Sequence, residues 1–242
     1  MYSKLKAIAT GVIALSWIGC AGILPWHNEP VANEVNLAFT IENNLLFLST
    51  PALENRRGRF FLSTASARSA VDPQFASSLR TRPPFSFAIS DKEAVRIDPV
   101  VVGLGGVGDA MIGADVWSRH AITIDYHAGL ITYQTARIEP AEMTLHRFAS
   151  APTIVVNVDG KPIEAIVDTA LPDTLVLPAE KPSRRTAHVV IAGTDFGIVD
   201  VGQARVAMPR IGNRLLSRFL VTIDYGQRVT GLWRDPRIPL KP

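Results

Sequence analysis

Residues 112–126 read IGADVWSRHAITIDY, and residues 211–225 read IGNRLLSRFLVTIDY. The copies lie 99 residues apart and agree at eight of fifteen positions, including Ile-Gly, Ser-Arg and Thr-Ile-Asp-Tyr. A segment repeated at this level points to two related units, each with the same apolar face to bury. A second pair stands upstream of each copy: residues 59–71, RFFLSTASARSAV, and residues 164–176, EAIVDTALPDTLV. Each is an apolar run, a small polar turn and another apolar run. The body is therefore expected to divide into one lobe at 34–136 and another at 151–236. A linker at 137–150, with mixed charges and Pro140, joins them.

Local pattern predicts β-structure in both lobes. Residues 121–126 and 220–225 are short, β-branched runs closed by turn signals at Gly129 and Gly226. Residues 153–158, TIVVNV, end at Asp159-Gly160, a strong hairpin signal, and residues 163–167 supply the returning strand. Residues 188–192 and 196–201 read as strands around Gly193. One short helix per lobe is expected directly after each repeated Gly, at 114–119 and 213–218. Many short strands at regular spacing predict a mostly β barrel or sandwich.

Composition narrows the partners. The chain has 25 Lys and Arg against 22 Asp and Glu, and Lys4 and Lys6 precede the body, which is left close to neutral. No nucleic-acid partner is expected from that balance. With 47% hydrophobic residues, the chain has enough apolar material for a core, which argues against wholesale disorder. Cys20 is the sole cysteine, so one chain builds neither a disulfide framework nor a cysteine zinc site. No cofactor is expected.

Residues 1–26 read as a leader: Lys4 and Lys6, then an uncharged stretch at 7–26. Three fates are open. One is cleavage near the small residues at 19–22, and another is retention as an anchor, for which the length just suffices. The third is lipidation at Cys20, because Trp17-Ile18-Gly19-Cys20 resembles a bacterial lipoprotein box with Trp17 where Leu is usual. All three deliver the body outside the cytoplasm, to the cell envelope or periplasm, with a membrane tether in the last two.

In order and spacing, the repeated features resemble the aspartic protease superfamily, most closely its retropepsin-like branch with two lobes fused in one chain. The second lobe carries IVDTALPDTLV at 166–176, then Ile211-Gly212, then the strand at 221–225. The first lobe carries LSTASA at 62–67, Ile112-Gly113 and the strand at 122–126. The resemblance implies a two-lobed acid-protease-like β-barrel architecture, a peptide or protein ligand in the cleft between the lobes, and peptide-bond hydrolysis. It places Asp168 at the catalytic position, with Thr169 and Ala170 in the same motif, and Ser63 at the degenerate equivalent in the first lobe.

That chemistry needs two carboxylates sharing one proton, one acting as base toward a water while the other donates to the carbonyl oxygen. A serine hydroxyl supplies neither charge nor shared proton. Ala65 and Ala170 also replace the Gly of the family motif. Three readings of Asp168 stay open. It is half of a dyad completed by a second chain, as in a homodimer; or a remnant in a pseudoprotease that binds peptides without cutting them; or a turn-capping side chain. Asp72, Asp98 and Asp109 are the candidates for a second carboxylate within the chain, though each reads more simply as a solvated loop residue.

Other signals are weaker. Gly103, Gly105, Gly106 and Gly108 have dinucleotide-binding spacing, and Asp125 follows where a ribose-binding acid would stand. Asp224 occupies the same place in the second copy with no Gly-rich turn ahead of it, so the repeat explains Asp125. Ser63 lacks the Gly-x-Ser-x-Gly elbow. The histidines at 27, 120, 127, 146 and 188 show no metal or triad spacing.

Overall fold

The computed structural model describes residues 35–49, 51–90, 93–118, 120–134 and 143–234. The leader at 1–26 and Cys20 lie outside them. The protein is mostly β, with three short helices among the described residues. No helix among the described residues is long and apolar enough to cross a membrane.

The repeated strands build the centre of an antiparallel sheet. Ala121–Asp125 pairs with Leu220–Asp224 in the register Ile122 to Ile223, Thr123 to Thr222 and Ile124 to Val221. Each copy thus pairs with the other about a single point, where Thr123 Oγ1 lies 3.0 Å from Thr222 Oγ1. The sheet extends on one side through Val229–Trp233 to Thr144–Arg147. On the other it runs through Leu130–Gln134 to Val35–Glu42. The strand Thr144–Arg147 lies within the segment 137–150 expected as a linker. Its mixed-charge sequence carries no β signal, and the exposed edge of Val229–Trp233 supplies the pairing.

In the second half, six strands close on themselves in the order Thr153–Val158, Lys161–Val167, Arg210–Ile211, Leu175–Pro178, Thr194–Ala204 and Ser183–Ile191. The first half does not close this way. From Val35–Glu42 the sheet continues through Leu45–Leu48, Phe60–Leu62, Ala110–Ile112 and Ala70–Val71 to Val100–Val101, beside a four-stranded sheet containing Phe85–Ala88 and Ala94–Ile97. The tight turns follow conformational preference. Asp159-Gly160 takes positive φ at both residues, and so do Asn43-Asn44, Glu54-Asn55 and Ala192-Gly193, the pattern that matches strand twist in two-residue hairpins.

Both halves share one local arrangement. Phe60–Leu62 runs parallel to Ala110–Ile112, which lies antiparallel to Ala70–Val71. Likewise Lys161–Val167 runs parallel to Arg210–Ile211, which lies antiparallel to Leu175–Pro178. The inserted strand ends at Gly113 or Gly212, where backbones nearly touch. A Cβ on Gly113 would stand 2.6 Å from the Arg68 carbonyl carbon, and one on Gly212 closer still to the Leu171 and Asp173 carbonyl oxygens. Single-turn helices follow, Ala114–Trp117 and Asn213–Leu216.

The third helix, Pro73–Ser78, corrects the expectation of one helix per lobe. Asp72 caps it through the Gln74 N–H, with Pro73 at the first helical position, where its missing N–H costs nothing. One apolar cluster runs through both halves, from Leu37 and Trp117 to Val156 and Leu216. Each such fully buried side chain contributes on the order of 1.5–3 kcal/mol.

Candidate functional site

The strands Phe60–Leu62 and Lys161–Val167 end at Ser63-Thr64-Ala65 and Asp168-Thr169-Ala170, and the two turns lock together through their threonines. The Thr64 N–H donates to Thr169 Oγ1 at 3.1 Å, and the Thr169 N–H donates to Thr64 Oγ1 at 3.2 Å. Each hydroxyl then donates across to the other strand, Thr64 to the Val167 carbonyl at 2.6 Å and Thr169 to the Leu62 carbonyl at 3.0 Å. Both threonines are fully buried.

This clasp holds Ser63 and Asp168, themselves buried, against one cavity of about 480 Å³. Asp168 Oδ1 accepts the Ala170 N–H at 3.0 Å, and Ser63 Oγ accepts the Ser66 N–H at 3.2 Å. The side chains therefore take similar local bonds, and Asp168 does cap its turn. The other oxygen distinguishes it: Asp168 Oδ2 accepts from Arg210 Nη1 at 2.9 Å. Among the described residues, Asp168 is the only carboxylate that lines the cavity.

The three alternative carboxylates are placed elsewhere. Asp72 accepts from the Gln74 and Leu104 N–H groups, and Asp109 from the Arg59 N–H at 2.7 Å. Both hold the backbone together, which corrects their reading as plain solvated residues. Asp98 pairs with Arg68 on the surface. Asp125 accepts the His127 and Ala128 N–H groups, and Asp224 the Gln227 N–H, so both close hairpin turns. The Gly-rich segment leads into the strand Ala110–Ile112 and a single helical turn, with no room for a crossover helix. Among the described residues, no three His, Cys, Asp or Glu side chains gather as metal ligands.

Two residues of the site have no counterpart in the sequence reading. Arg210 stands directly before the repeated Ile-Gly, where the first copy has Met111. Asn213 Nδ2 donates to the Thr169 and Asn44 carbonyls, both at 2.6 Å, while its Oδ1 accepts the Tyr126 hydroxyl at 2.8 Å. Ala114 takes its place in the first copy. The Tyr225 hydroxyl donates to the Thr64 carbonyl at 3.1 Å. Burial pushes the Tyr225 phenol well above its ordinary value, and the negative charge of Asp168 adds to the shift. The Tyr126 phenol is raised by burial alone. The two tyrosines thus stay neutral donors that hold the clasp from outside.

No protein-family model matches the chain, and no curated protein matches it.

Proposed function

We propose that this is a two-lobed, acid-protease-like protein, exported to the cell envelope, that holds polypeptide in the cleft between its lobes without cutting it. The observation that carries this reading is the surroundings of Asp168: a serine at the equivalent turn and an arginine on the free carboxylate oxygen.

Three features support the two-lobed reading. The repeated strands pair with each other in register about Thr123 and Thr222. The parallel insertion ending in Ile-Gly recurs in both halves. The threonine clasp joins two turns that stand at matching places in the two copies.

The chemistry of the dyad argues against hydrolysis. Two carboxylates compete for one proton because their charges repel, and that competition creates the acid and base roles. Beside Asp168 the neighbour is the Arg210 guanidinium, which takes up Oδ2, and among the described residues the cavity lining holds no second carboxylate to share a proton with it. A carboxylate from a second chain would have to reach Asp168 past Arg210, which already occupies Oδ2. An active dyad across a homodimer is therefore the weaker reading.

The test uses the purified full chain and a mixed peptide library between pH 3 and pH 7, with retention, cleavage and oligomeric state recorded together. Retention without cleavage at any pH is expected, from wild type and from Asp168→Asn. Cleavage that disappears in Asp168→Asn would overturn the proposal.

A further inference from the structure

Resting on the reading of the cleft as a polypeptide site, we propose that Arg210 anchors a carboxylate of the bound peptide, carried by its C-terminus or by an Asp or Glu side chain. A guanidinium offers five N–H donors in a planar fork. Arg210 spends Nη1 on Asp168 Oδ2, while its Nε is buried with no partner. The side chain is 42% exposed and lines the same cavity as Ser63 and Asp168.

Counting donors and acceptors decides what this floor can take. Ser63 Oγ already accepts from the Ser66 N–H, so its own proton is left for another acceptor. Both oxygens of Asp168 are engaged, one by the Ala170 N–H and one by Arg210. Donors are therefore in surplus. A planar group with two oxygens uses the remaining fork of Arg210 and the Ser63 hydroxyl together, whereas a neutral peptide carbonyl meets one of them. The walls are apolar, formed by Met111, Ala170, Leu171, Val176 and Val206, and they fit the side chain next to that carboxylate. Met111 is the uncharged counterpart of Arg210 in the first copy, so the anchor stands on one side only. The cleft consequently has a polarity and holds the peptide in one direction.

Three pools of short random peptides test the assignment on the full chain: neutral with an amidated C-terminus, neutral with a free C-terminus, and amidated with one Glu. Wild type is expected to retain at least one carboxylate pool about tenfold over the neutral amidated pool, and which pool identifies the source. Asp168→Asn should strengthen that retention, because it frees Nη1 and removes a repelling charge. Arg210→Gln should abolish the preference. The double variant Arg210→Gln/Asp168→Asn should do the same without leaving a buried carboxylate unpaired, which keeps the test open if the single variant does not fold. Equal retention of all pools by wild type, or a preference that survives in the double variant, overturns the anchor and leaves peptide binding standing. Retention of no pool by the folded chain overturns the polypeptide reading and the anchor with it.

Discussion

Thr64 and Thr169 bind each other through identical atoms: each backbone N–H meets the other's Oγ1, and each hydroxyl reaches a carbonyl of the opposite strand. The clasp is closed within one chain, so the relative placement of Ser63 and Asp168 requires no partner.

Removing either hydroxyl should be costly. Thr64→Val takes away the acceptor of the Thr169 N–H and the donor to Val167, and Thr169→Val does the reverse. Each is expected to cost about 2–4 kcal/mol, from leaving buried polar groups unpaired. Because the first substitution already loosens the clasp, the double variant should cost at least about 1 kcal/mol less than the sum. Urea denaturation of the four proteins measures this; additive losses would show that the two threonines act independently.

Asn213 should matter more than the tyrosine that binds it. Asn213→Ala leaves the Asn44 and Thr169 carbonyls and the Tyr126 hydroxyl unpaired, with an expected loss of about 3 kcal/mol. Tyr126→Phe removes one hydroxyl and should cost about 1 kcal/mol. Equal losses in chemical denaturation would contradict the placement of Asn213 at the centre of the network.

The two glycines after the inserted strands should not tolerate a methyl group. Gly113→Ala and Gly212→Ala drive a Cβ into backbone carbonyls that have no rotamer by which to escape. Each should destabilise by more than about 3 kcal/mol or abolish folding. Gly160 has positive φ and open space around its Cβ position, so Gly160→Ala should cost only about 1–2 kcal/mol. Thermal unfolding of the three variants gives the order.

His146 should make stability depend on pH. Burial lowers its pKa below the ordinary imidazole value, and the charge of Glu164 opposes the shift only in part. Between the folded value and about 6.5, the unfolded chain binds more protons, so stability rises with pH across that window. It is therefore lost as pH falls below about 6.5. His146→Gln should flatten the change between pH 7 and pH 5 in urea denaturation. The lowered carboxyl values of Asp159 and Asp195 act in a separate, more acid window, so they do not confuse the comparison.

Local features were legible in the chain because their causes lie within a few residues. The turn at Asp159-Gly160, the strand Thr153–Val158 and the short helices after Gly113 and Gly212 rest on turn chemistry and alternation. The helix Pro73–Ser78 has a local signal in Asp72-Pro73, but six residues are too few to show an apolar helical pattern. The strand Thr144–Arg147 had no signal of its own, since its backbone bonds are made to residues far along the chain.

The sequence by itself determined that this protein is mostly β and that one segment occurs twice. Only the tertiary structure decided that Arg210 meets Asp168, that Asn213 meets Thr169, and that the repeated strands pair with each other about Thr123 and Thr222. Turn type and strand pattern depend on neighbouring dihedrals and side-chain alternation. A contact between residues about forty or more positions apart depends on strand register and on which way each side chain leaves its backbone, and no local pattern carries that information.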